Sequence, residues 1–131
     1  MSGETDLDVL IASMEPVLDP ATYVFLTVDT APDGLEALMT FQEAEGLTLI
    51  AKQGAVKAAG LDGVFPCRRI TLNVHSALEA VGFIARIATH LAAAGMGVNP
   101  VAGYYHDHLF VPADRAEEAM ALLANLSKAS A

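Results

Sequence analysis

RITLNVHSALEAVGFIARIATHLAAAGMGVNPVAGYYHDHLFVP, residues Arg69–Pro112, decides the fold, because hydrophobic period and turn chemistry change several times within it. Arg69 to His75 alternates strictly: Ile70, Leu72 and Val74 share one face, and Arg69, Thr71, Asn73 and His75 share the other, as expected of a strand covered on one side. Ser76 and Glu79 then stand at capping-box spacing, which predicts a helix opening at Ser76. Its expected buried stripe is Leu78, Val81, Ala85, Ala88 and Leu91, and Gly95 or Gly97 is expected to end it. Glu79, Phe83, Arg86 and His90 fall on a second face, where Phe83 suggests contact with another module or subunit. Gly97–Tyr105 and His106–Val111 read as two further strands joined by a tight turn, and 112–126 as a closing helix with Ala116, Met120 and Leu123 inward.

The resulting order is strand, helix, strand, strand, helix. A right-handed split βαβ unit places the strand beginning at His106 between the other two. This is a ferredoxin-like layer short of one strand, which the N-terminal half is able to supply. In that half, Leu7, Leu10, Ile11 and Met14 mark a short amphipathic helix, ended by Pro16 and Pro20. Thr22–Val28 reads as a buried strand. Leu35–Glu43 and Leu47–Ala51 form a hairpin around Gly46, which is expected to supply a positive φ, and Lys52–Ala59 is a helix stopped by Gly60. LDGVFP, Leu61–Pro66, is the expected linker, so two modules are predicted, residues 1–65 and 66–131. The fold class is α+β: two ferredoxin-like βαββαβ modules, with antiparallel sheets and helices on one face.

Composition narrows the function. The 131 residues carry a net charge of −9. Residues 1–65 hold eleven acids against Lys52 and Lys57, whereas 66–131 hold five of each sign. An acidic surface repels phosphate backbones and anionic lipid, so neither nucleic acid nor membrane is expected as a partner. Cys67 is alone, the N-terminus is acidic, and Arg86 and His90 interrupt the richest apolar stretch, Ala80–Val98. These features fit a cytoplasmic protein without disulfides, export signal or transmembrane span.

The same stretch resembles the ACT domain, in particular small bacterial proteins with two ACT modules in one short chain. SALEAVG and NPVAGYYHDHLFVP carry the likeness in the second module and FQEAEGLTLI in the first. Such proteins are similar to the regulatory modules of aspartate kinases and to cytosolic amino-acid sensors. The resemblance implies a binding module without catalysis or cofactor. Its ligand would be a free amino acid or similar small metabolite at a module or subunit interface, in a homodimer that acts on a regulated enzyme or transporter. Carried onto this chain, the ligand residues are Asn73, His75, Ser76, Ala77, Leu78, Val81 and Gly82 from the loop after the first strand, with Val98 and Asn99 from the next strand. Many ACT loops carry Asp-x-Pro-Gly at the helix start, where this chain has HSALEAVG.

Other chemistry is open in YYHDH. His106 and His108 point to one face of a strand and, with His75, offer three imidazoles to a metal, the basis of an alternative reading as a small metal-dependent enzyme. The simpler reading is local hydrogen bonding that fixes the turn, with Asp107 facing away from the histidines. Glu43 and Glu45 read as a solvated hairpin rim, Ser76 as a cap and not a nucleophile, and Cys67 as a small buried residue. GLDG and GMG lack the strand-loop-helix setting of a dinucleotide fingerprint.

Overall fold

The structure is a computed structural model and describes residues 6–74 and 76–130. Helix α1 (Leu7–Ser13) starts on Asp6, whose carboxylate accepts the Val9 N–H at 3.1 Å, and it leads into the short strand β1 (Pro16–Leu18). Strands β2 (Tyr23–Val28), β3 (Ala37–Gln42) and β4 (Leu47–Lys52) follow, then helix α2 (Gln53–Ala58) and strand β5 (Val64–Leu72). Helix α3 (Phe83–Ala92), strands β6 (Asn99–Ala102) and β7 (Asp107–Pro112), a 3₁₀ turn (Ala113–Arg115) and helix α4 (Ala116–Ser130) complete the chain.

The chain divides into two compact units that are not its two halves. One is Pro20–Cys67; the other takes Arg68–Ala131 together with the segment ending at Asp19. In the larger unit the strand order is β1, β5, β7, β6, so the N-terminal segment supplies the fourth strand. Pro16, Val17 and Leu18 pair antiparallel with Leu72, Thr71 and Ile70, and β7 lies between β5 and β6 as the handedness rule requires. In the smaller unit the order is β3, β4, β2, β5, all antiparallel along the printed pairings, with α2 between β4 and β5. This is the same ferredoxin-like order with an irregular connection between β2 and β3 in place of the first helix. Both units are α+β and ferredoxin-like.

Only the first half of the expected linker, Leu61–Gly63, lies outside the regular elements. Val64–Pro66 run on into β5, where Phe65 takes φ 58° and the register against β2 shifts between Tyr23 and Phe25. Pro66 has no N–H to give to a ladder, and an irregular pairing accommodates it. Gly63 is fixed by space: a Cβ there would lie 2.5 Å from the Val24 side chain. Gly46 likewise does not adopt positive φ; it is small because a Cβ would meet Thr27 Oγ1 at 2.6 Å. Glu43 and Glu45 are exposed on that hairpin, as a solvated rim.

The larger correction concerns α3. The helix opens at Phe83, not Ser76, and Gly82 is its N-cap at φ 91° without a side-chain cap. The Ser76 hydroxyl bonds elsewhere, so no capping box forms, and Gly82 reverses the chain in a conformation that costs other residues about 1–2 kcal/mol. The buried stripe is therefore Phe83, Ile87 and Leu91, while Leu78 and Val81 are 68% and 85% exposed. Phe83 packs into the core of its own unit, with Ile70 and Leu72 of β5, Leu109 and Val111 of β7, and Leu10 and Ile11 of α1. From α4 come Ala116, Ala119, Leu123 and Leu126. Ser127 Oγ donates to Ala12 O at 3.0 Å, tying α4 to α1. Arg115 donates to the carbonyls of Ala94 and Gly95, satisfying acceptors just past the end of α3. The smaller unit has its own core of Val24, Leu26, Leu49, Ala51 and Val56.

Alternation along β7 sets two chemistries on opposite sides. Leu109 and Val111 face the helices, so Asp107 shares the helix side, while His108 lies on the other with Thr71 of β5. His108 Nδ1 and Thr71 Oγ1 share a hydrogen bond of 3.0 Å, and His106 Nδ1 approaches Val74 O at 3.4 Å. Burial, then the positive charge of Arg69 and of His106, hold the His108 pKa below the ordinary 6.5, against an opposing pull from Asp107.

Replacing Leu109, which is fully buried, with Ala is expected to cost about 2–5 kcal/mol. Val17→Ala, at a position 53% exposed, should change stability by less than about 0.5 kcal/mol. Far-UV circular dichroism during urea unfolding measures both in a chain that has no Trp. Cys67 is buried, donates to Tyr23 O, and has its pKa pushed up to about 12 by burial. Its thiol should therefore stay unmodified by a disulfide reagent at pH 8 until denaturant is added. For His108, the unfolded chain binds more protons than the folded one just below pH 6.5, so stability should fall as pH drops through that value and level off below the folded pKa. His108→Asn should flatten this dependence; an unchanged slope between pH 7.5 and 5 would show that burial does not depress the imidazole.

Candidate functional site

Where β5 ends, Val74, Ser76 and Ala80 make close turns: the Ser76 N–H bonds to Val74 O at 3.1 Å and the Ala80 N–H to Ala77 O at 3.0 Å. This loop, the first turn of α3 and the hairpin between β6 and β7 enclose a pocket of about 220 Å³ within the larger unit. The loop contributes Ser76, Ala77, Leu78 and Ala80. The helix contributes its N-cap Gly82 and then Phe83, Ile84 and Ala85. The hairpin contributes Ala102, Gly103 and Asp107.

Each wall has a local cause. The first N–H groups of any helix lack partners within it, and Gly82 has no side chain to cap them. Three of the pocket residues, Phe83 to Ala85, are those first positions, and the helix dipole adds a partial positive charge there. Across from them the hairpin is closed by Ala102 opposite Asp107 and by the Gly103 N–H bonding to His106 O at 2.8 Å. Gly103 has to be small, since a Cβ would lie 3.0 Å from that carbonyl. Ser76 is 8% exposed and its Oγ donates to Asp107 Oδ2 at 3.2 Å, so the carboxylate is held in place. Among the described residues no salt bridge reaches Asp107. One side of the pocket thus suits an anion and the other a cation.

Of the residues anticipated as ligand contacts, the structure brings Ser76, Ala77, Leu78 and Gly82 together here. Asn73, Val81, Val98 and Asn99 do not line the pocket, and His75 lies outside the described residues. Phe83, Ile84, Ala85, Ala102, Gly103 and Asp107 also line it and were not anticipated as contacts. Asp107 had a signal, because it alternates with His106 and His108 and must therefore face the helices. The histidines it separates are bound to Val74 O and Thr71 Oγ1, and no three His, Cys, Asp or Glu among the described residues are grouped to hold a metal ion. No helix among the described residues is long and apolar enough to cross a membrane.

Comparison with known proteins agrees with this architecture. Two ACT domain family models match in tandem, over residues 2–68 and 64–125, and they overlap within β5. No curated protein matches the chain. Among solved structures, it is similar to a Vibrio cholerae protein of unknown function, described as a possible transport protein, with 43% identity and a TM-score of 0.85 over 96% of this chain and 99% of the other. An Agrobacterium tumefaciens protein shares the fold at 17% identity and a TM-score of 0.73, with 87% and 89% of the two chains covered. So does the ligand-free regulatory subunit of aspartate kinase from Thermus thermophilus, at 14% identity and a TM-score of 0.63, over 88% and 97%. With tandem models spanning most of its length and two ferredoxin-like units in its structure, the chain belongs to the ACT-domain family.

Proposed function

We propose that this protein is a regulatory module that binds a free amino acid in the pocket between the Ser76 loop, the start of α3 and the β6–β7 hairpin. The observation that carries the reading is the pocket's two-ended polarity. An uncapped helix start suits an α-carboxylate, and the partnered Asp107 carboxylate suits an α-ammonium, with apolar walls between them. Membership of the ACT family and the likeness in fold to aspartate kinase regulatory subunits support a regulatory role. Ser76, Ala77, Leu78 and Gly82, with Asp107, are the binding residues of this proposal.

The protein would work in the cytoplasm as a homodimer and pass ligand occupancy to an enzyme or transporter. Leu78 and Val81, and Tyr104 and Tyr105 of the hairpin, are exposed large side chains next to pocket residues, which supports a contact surface whose shape depends on occupancy. No reaction is assigned to the pocket.

A thermal-shift screen of the twenty amino acids tests the reading. A ligand present at about 100 times its dissociation constant adds about 2.7 kcal/mol to stability, so a binder should raise the melting temperature clearly. Gly82→Val, which forces a β-branched residue to positive φ and fills space beside Leu7, should remove the shift. Silence from all twenty would sink the proposal.

A further inference from the structure

We infer that the outer strand β3 is a dimer contact: it pairs antiparallel with β3 of a second copy of this chain, about a two-fold axis at Phe41. The inference rests on the homodimer of the proposed function and gives it a surface; it does not depend on the amino-acid ligand.

Strand β3 ends the strand order of the smaller unit, so one side of its backbone has no strand beside it among the described residues. The Glu43 N–H bonds to Gly46 O at 2.9 Å, and further along the pair Phe41 lies opposite Thr48 and Met39 opposite Ile50. In an antiparallel ladder every second residue turns its N–H and C=O to the neighbouring strand, so Met39 and Phe41 bond to β4 while Thr40 and Gln42 direct theirs outward. Outer strands ordinarily resist further pairing through proline, charge or shortness. The outer strands of the larger unit, β1 and β6, have three and four residues and hold Pro16 and Pro100. Strand β3 has six residues, ALMTFQ, with neither proline nor charge, and its Phe41 is 66% exposed.

Symmetry makes a second copy the fitting occupant. About a two-fold axis at Phe41, Thr40 of each protomer faces Gln42 of the other, and each such pair exchanges both of its outward backbone bonds. The two Phe41 residues form the intervening pair without bonds, where Cα atoms approach to about 4.5 Å and the rings cover each other. Glu43 comes opposite Met39, so in a chain of net charge −9 no acid faces an acid within the ladder. The irregular pairing between Ala37 and Met39 ends the ladder on that side. A contact this short buries less than the roughly 1,200 Å² of a stable interface, so the dimer dissociates on dilution.

Sedimentation velocity of the full chain over a dilution series should show dimer passing to monomer. Thr40→Pro removes an outward N–H and no bond to β4, so it should weaken association about tenfold or more and leave the far-UV circular dichroism unchanged. Phe41→Glu and Phe41→Lys each set like charges together and should be monomeric alone, whereas an equal mixture of the two should recover a dimer. Phe41→Cys should become a covalent dimer under mild oxidation, because the expected separation suits a disulfide and Cys67 is buried. That crosslink decides the matter even if Thr40→Pro does not fold. A dimer that survives Thr40→Pro, or a Phe41→Cys variant that stays uncrosslinked, overturns the β3 contact while a homodimer through another face stands. Monomer at every concentration overturns both, and neither result bears on the amino-acid pocket.

Discussion

The pairing of Pro16–Leu18 with Ile70–Leu72 is the constraint on which the larger unit depends. A strand of three residues contributes few ladder bonds, but its ends are extended by Asp19 N–H to Arg69 O at 2.9 Å and Asn73 N–H to Glu15 O at 3.1 Å. Arg69 reaches the Asp19 carboxylate at 3.0 Å, and Arg68 Nε donates to Asp19 O. With that edge closed, α1 lies where Leu10, Ile11 and Met14 meet α3 and α4, and the core of the unit is continuous. Burial of those side chains is the main gain; the short strand supplies the address.

The pocket is a by-product of the same geometry. Phe83, Ile87 and Leu91 fix the helix against the sheet by their four-residue spacing, so its opening turn falls beside the end of β5. The seven residues from Ser76 to Gly82 then have to bridge strand and helix without being either. The small Ala77, Ala80 and Gly82 leave room, and Ser76 turns its hydroxyl to Asp107. A chain with a helix beginning at Ser76 would have filled the space that the irregular loop leaves open.

Much of this architecture was legible in the residues. The alternation from Arg69 is strand as far as Leu72, the hairpin strings and the amphipathic pattern of Leu7–Met14 correspond to observed elements, and the need for a fourth strand was visible from topology alone. The start of α3 was not, because Ser76 and Glu79 at capping spacing are indistinguishable in sequence from a true cap, and the three- and four-residue spacing of Leu78 and Val81 continues smoothly into the real helix. What separates the two cases is tertiary: Asp107, far along the chain, recruits the Ser76 hydroxyl, and Gly82 takes a positive φ. The end of the linker, Val64–Pro66, was misread for a similar reason. Gly63, Phe65 and Pro66 look like punctuation, yet Gly63 is there for close packing on Val24 and Pro66 is accommodated by an irregular strand. For the pocket, loop position was readable and depth was not: Leu78 and Gly82 of the loop line it, and so does Asp107, which was assigned only to the turn.

A chain emerges from the ribosome N-terminus first, and here the apolar residues of α1 have their partners half a sequence away. Leu10, Ile11 and Met14 cannot be buried until Ile70, Leu72 and the helices beyond them have been synthesised. The shorter unit, Pro20–Cys67, is complete earlier, so nascent protein passes through a stage with one finished body and the apolar face of α1 still uncovered.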